Sequence, residues 1–113
     1  MTAYAHPDLA SGRWQTFSLA EQLGNIGSEI SRALAAKKSA HAVRLQAALD
    51  RALELFDLTI ADPKHRMRLK ELCRAREVVC DFFFGDNQYG STGESLDRYF
   101  LAFAIAAREQ RSS

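Results

Sequence analysis

The sequence predicts an all-α protein, an antiparallel up-down-up-down four-helix bundle, and three observations carry that prediction. Apolar residues recur at spacings of three and four through four successive segments. Those segments are bounded by start and stop residues: Ser18 with Glu21, Asp62 before Pro63, Gly85, and Ser91 with Glu94. No stretch alternates as a strand would, and no internal repeat or low-complexity run breaks the pattern. Helices of about 18–22 residues, each roughly 30 Å long and joined by short loops, fit an up-down bundle.

The chain divides into an N-terminal tail, residues 1–17, and a bundle, residues 18–110. Met1 to Arg13 are small, polar and aperiodic, which predicts poor order. Trp14 and Phe17 end the tail and are expected to fold back as a plug over one end. The first helix starts at Ser18, where Ser-x-x-Glu forms a capping box with Glu21. Leu19, Leu23, Ile26, Ile30, Ala33 and Leu34 make its stripe. Gly24, Gly27, Ser28 and Ser31 are unusually small for a helix interior, where each glycine costs about 1 kcal/mol against alanine. Something must approach that backbone closely, either a neighbouring helix or another subunit.

The first turn lies in AAKKSAHA, with Ser39 the best candidate cap for the second helix. Leu45, Leu49, Ala52, Leu53, Phe56 and Ile60 form the second stripe, which stops at Asp62 because a residue before proline avoids helical backbone. Asp62-Pro63 also starts the third helix, which runs to about Phe84 and stops at Gly85. The loop GDNQYGST is rich in turn formers, and Ser91 with Glu94 forms a second capping box. The fourth helix carries Leu96, Tyr99, Phe100, Phe103 and Ala107 inward, with Leu101 and Ile105 behind.

The third helix is the unusual one. At about 100° per residue, Leu69, Leu72, Cys73, Cys80 and Phe83 share one face, while Met67, Ala75, Val78 and Phe82 lie roughly opposite. A helix apolar on both sides is buried on both sides, and so short a chain covers only one. The expectation is self-association, with Met67, Ala75, Val78, Phe82, Leu101 and Ile105 at the subunit interface.

Composition narrows the function classes. One hundred and thirteen residues make one domain with one core. The apolar share of 47% with 26% charged is that of an ordinary globular protein, and a net charge of +1 provides no global field to hold a polyanion or anionic membrane. No window reaches the roughly 18 apolar residues of a membrane span, and no basic, apolar-run leader precedes the tail. Cys73 and Cys80 stand two turns apart on one helix, about 10 Å, too far for a disulfide between them. Free thiols fit a cytoplasmic location.

Little points to catalysis. No Glu-x-x-His pair accompanies His6, His41 or His65, and no phosphate-binding glycine loop, nucleophile elbow or His-Glu-x-x-His motif occurs. No catalytic, cofactor-binding or metal-ligating residue is therefore nominated. Arg76, between Cys73 and Cys80 on the expected inward face, needs a carboxylate if buried; Glu29 is the first candidate for a buried ion pair and Asp57 the second. Lys64, Arg66, Arg68 and Lys70 form a basic cluster that could contact nucleic-acid phosphates. They point in separate directions, however, and lack interleaved aromatics for base stacking.

Runs such as SLAEQLGNIGSE, RALELFDLTIADP and GDNQYGST, from Ser18, Arg51 and Gly85, resemble a group of short, uncharacterised bacterial cytosolic proteins. More loosely, the chain looks like the four-helix-bundle family typified by proteins encoded in intervening sequences of bacterial 23S rRNA genes. The resemblance implies antiparallel bundles assembled as a homo-oligomeric ring, a pentamer, and supplies no catalytic residues. The expectation is a cytoplasmic, non-enzymatic scaffold or adaptor whose first partner is itself. The alternative is a nucleic-acid-binding accessory protein using the basic rims of such a ring.

Overall fold

The structure, a computed structural model, describes residues 12–112. The expected disorder of the tail falls mostly outside that range. Four helices follow one another: α1 (Leu19–Lys38), α2 (Ala42–Ile60), α3 (Leu69–Phe84) and α4 (Gly93–Ser112). Two short 3-10 turns, Arg13–Thr16 and Pro63–Arg68, precede α1 and α3, and no strand occurs among the described residues.

The first capping box forms as its sequence dictates. The Glu21 amide donates to Ser18 Oγ at 3.1 Å, and the Ser18 amide donates to Glu21 Oε1 at 2.9 Å. The α1–α2 turn differs from expectation: Ser39 terminates α1, and His41 caps α2 by accepting the Arg44 amide on Nδ1 at 3.2 Å. Between them Ala40 adopts φ 56°, a left-handed conformation that reverses the chain within three residues.

Asp62 caps as predicted, accepting the Lys64 amide at 3.1 Å, but what it starts is the 3-10 turn. The α-helix begins only at Leu69 because the turn is anchored from outside: His65 is buried and its Nε2 lies 2.9 Å from Gln22 Oε1 on α1. The second capping box is also displaced. Thr92 and Ser95, rather than Ser91 and Glu94, exchange amide-to-hydroxyl bonds of 2.9 and 3.0 Å.

α1 is the central rod. Leu23, Ile26 and Ile30 are fully buried, and α1 lies close to both α2 and α4. Along the α4 side, Ser18 meets Gln110, an added Cβ at Gly24 would meet Ala104, and one at Gly27 would meet Phe100. Farther along, Ser31 bonds Asp97 and Leu34 reaches Gly93. α3 stands farther out and connects through larger side chains. Its Leu72 and Val79 are buried with Trp14, Phe56, Leu96 and Phe100, while Phe82 and Phe83 stack edge-to-face 5.0 Å apart at the margin.

This corrects the reading of α3. Ala75, Val78 and Phe82, expected outside, pack partly buried against the chain's own core, whereas Leu69 and Cys73, expected inside, are exposed. The inward stripe runs Leu72, Ala75, Val79, Phe82, a three-then-four spacing that competes with the one first assigned.

Candidate functional site

Of the six residues expected at a subunit interface, Ala75, Val78 and Phe82 are half-buried against the chain's own core. Phe82 is shielded further by Lys37, whose Nζ sits 4.4 Å from the ring centroid. Met67 remains 89% exposed, on the 3-10 turn rather than on a helix. Leu101 and Ile105 are 54% and 45% exposed and lie one turn apart on α4. Beside them runs a groove of about 330 Å³ between α1 and α4, lined by Gly24, Ser28, Ser31, Asp97 and Ala104 with Phe100 at its floor. The small residues noted in the sequence thus serve both purposes at once: they let α4 approach, and they leave a trough beside two apolar knobs.

A second groove, about 250 Å³, separates α3 from α4 and is lined by Ala75, Val78, Val79, Leu96 and Tyr99. Tyr99 borders it, its hydroxyl 3.3 Å from Glu71 Oε1. Burial, then the nearby Glu71 carboxylate, pushes the Tyr99 phenol up to about 12.

Of the two carboxylates expected for Arg76, the second, Asp57, takes it, and the Arg76–Glu29 pair does not form. Arg76 Nε donates to Asp57 Oδ1 at 2.9 Å, with side-chain exposures of 35% and 63%. Such surface pairs contribute about 0–1 kcal/mol. The cause is the rotation of α3, which carries Arg76 toward α2's solvent edge. Glu29, itself buried, is taken by two other arginines: Arg32 Nη1 at 2.7 Å and Arg51 Nε at 2.9 Å. Sequence reasoning missed both, although Glu29 and Arg32, three apart on α1, are neighbours on one helical face.

The basic cluster is partly neutralised. Lys64 pairs with Asp62 at 3.0 Å and also donates to the Gln15 carbonyl, and Arg68 forms a two-pronged contact with Glu71 at 2.9 and 3.0 Å. Arg66 and Lys70 are exposed. Lys64, Arg66 and Arg68 stand on the 3-10 turn and Lys70 on α3, so the four do not share one helical element.

At the end of the bundle near Trp14, buried polar groups form a continuous chain. Trp14 Nε1–H donates to Thr59 Oγ1 at 2.9 Å, and the Thr59 hydroxyl donates to the Leu55 carbonyl. The Gln22 side-chain Nε2–H donates to the Trp14 carbonyl at 2.9 Å and to Asp62 Oδ2 at 3.2 Å. Burial lowers His65 from its ordinary 6.5. Burial alone would raise Asp62, but hydrogen bonds from Lys64 and Gln22 outweigh it and hold the carboxyl below 3.8. Partners on every side make this cluster a structural clasp; 45 residues separate Trp14 from Thr59, so no local signal announced it.

The GDNQYGST loop is likewise occupied with its own shape. Asp81 accepts the Gln88 and Tyr89 amides, and Asn87, at φ 54°, exchanges two 2.9 Å bonds with Ser91. Among the described residues no three His, Cys, Asp or Glu side chains converge as a metal site, and no helix is long and apolar enough to cross a membrane. No family model matches the chain, and neither a curated protein nor a solved structure matches it.

Proposed function

We propose that this chain is a non-enzymatic, cytoplasmic scaffold that assembles with copies of itself, its helices alternating up-down-up-down. The falling series of α4 partners met by rising α1 residues, from Ser18–Gln110 to Ser31–Asp97, supports the alternation. One observation carries self-assembly: Leu101 and Ile105 protrude beside a groove lined by small residues on the same face. A knob next to a hole is self-complementary, so two copies related by a two-fold axis can fill each other's trough. A ring, the pentamer implied by the family resemblance, requires instead that the same knobs enter a neighbour's groove head-to-tail. The nucleic-acid alternative through Lys64, Arg66, Arg68 and Lys70 draws less support, since Lys64 and Arg68 already face carboxylates.

Light scattering on the full chain at tens of micromolar tests the reading. The expected mass is an integral multiple of the 12.6 kDa protomer, two-fold or five-fold according to symmetry. A Leu101→Glu, Ile105→Glu double variant should run at the protomer mass with its helical content intact. A wild-type mass of one protomer would remove the proposal.

A further inference from the structure

We propose that the groove between α1 and α2 binds a multiply charged phosphate anion through Arg32, Arg44 and Arg51. The groove encloses about 410 Å³, the scale of a small-ligand site. Its walls include Ala35, Ala36, Ala47 and Ala48. These short side chains allow the helices to come close and leave a shallow trough with guanidiniums as its main polar feature.

Charge in this trough is unbalanced. Glu29 is 7% exposed and gives one oxygen to each of Arg32 and Arg51. One carboxylate between two guanidiniums leaves an excess positive charge, and Arg44 adds another with no ion pair to any described acid. Asp50, on the same helix, bonds Gln46 and does not line the groove. Lys38 ends α1 beside this trough, so the net +1 of the whole chain conceals a local concentration of positive charge.

The geometry suits phosphate better than a lone carboxylate. Glu29 engages Arg51 through Nε and Arg32 through Nη1, leaving both Nη groups of Arg51 and the Nη2 of Arg32 for a second acceptor. A guanidinium held by a buried carboxylate is oriented before any ligand arrives, and its planar fork matches phosphate oxygens. Arg44 stands two helical turns from Arg51, about 10 Å along the axis. A ligand with more than one phosphate can reach both positions; pyrophosphate-type molecules and consecutive phosphodiesters of a single strand share this chemistry.

Titration calorimetry of the full chain against sodium pyrophosphate, and separately against a single-stranded RNA of about ten nucleotides, tests the site at about 50 mM salt. Saturable binding that weakens with added salt is expected for at least one probe. Arg44→Glu, at an exposed position, should weaken it at least about tenfold with an unchanged thermal midpoint, and Lys64→Glu should leave it unaltered. Binding of pyrophosphate identifies a small phosphorylated ligand; binding of the RNA alone identifies a strand. The Leu101→Glu, Ile105→Glu variant should bind as the wild type does, separating this site from self-assembly. No binding of either probe at millimolar concentration would overturn the proposal, as would binding indifferent to Arg44→Glu.

Discussion

Where α1 meets α4 the two backbones nearly touch, whereas α3 and α4 are held apart by aromatic and branched side chains. In the first seam a Cβ placed on Gly27 would fall 2.5 Å from Phe100 Cβ, and one on Gly24 would fall 3.2 Å from the Ala104 Cα. In the second, Tyr99, Val78 and Leu96 line an open trough. The contrast concerns tolerance. A backbone-to-backbone contact has no side chain that can rotate out of the way, while a seam with spare volume absorbs an added methyl group.

The residue common to both seams should show the largest effect. Phe100 covers Gly27, stacks edge-to-face on Phe56 at 6.0 Å and on Tyr99 at 5.1 Å, and floors both grooves. Phe100→Ala is expected to cost about 3–5 kcal/mol in chemical denaturation at fixed protein concentration. A cost below about 1 kcal/mol would mean that the seams do not share a core.

Next comes the direct contrast. Gly27→Ala gains about 1 kcal/mol of helix propensity but forces two Cβ atoms apart, for a net loss of about 1–2 kcal/mol. Ala75→Val, which adds methyl groups in the α3–α4 groove, should stay within about 0.5 kcal/mol of wild type. Equal losses for the two would erase the distinction between the seams.

Two titrating groups then report how dry each region is. His65 sits in the clasp against α1, and burial favours its neutral form. Its folded-state value is lower than the unfolded one, so its stabilising share is complete above about pH 6.5 and lost as pH falls below that toward the folded value. The thermal midpoint should drop between about pH 7 and 5, and His65→Gln should flatten that slope. A wild-type midpoint unchanged over that range would contradict a dry clasp.

The smallest effect belongs to Tyr99. Its phenol is held neutral up to about 12, so its stabilising share persists below pH 10 and is lost as pH rises through 12. Absorbance titration should show a late-ionising phenol that disappears in Tyr99→Phe, with neutral-pH stability altered by less than about 0.5 kcal/mol. If the variant instead removes a phenol that ionises near 10, the α3–α4 trough is open to water.

How much of this was legible in the sequence depends on how local the cause is. Ser18 with Glu21 and Asp62 with Pro63 act within four residues, and both were readable. The four periodic stripes likewise announced four helices. Ser91 with Glu94 misled because Thr92 and Ser95 offer the same chemistry one position later. The facing of α3 was ambiguous in principle: apolar residues occupy most of its circumference, so periodicity alone does not choose a side. The opposite rotation ranks Glu29 ahead of Asp57 as the partner of Arg76 and puts Val78 and Phe82 outside, whereas the structure pairs Arg76 with Asp57, the second candidate, and turns Val78 and Phe82 toward the core. The Glu29, Arg32 and Arg51 cluster depends on the register of α1 against α2, which no single-helix pattern encodes. The clasp depends on Trp14 and Gln22 meeting Thr59, Asp62 and His65 from mid-chain, a contact made only on folding.

That clasp has a practical consequence. Trp14 is the sole indole in the chain, and it is 1% exposed with its N–H held by Thr59. Its emission is therefore a built-in optical gauge of one location: release of the N-terminal turn should shift the spectrum to the red while far-ultraviolet dichroism of the helices stays constant. Loss of both signals in a single step would instead reveal that latch and rods come undone together.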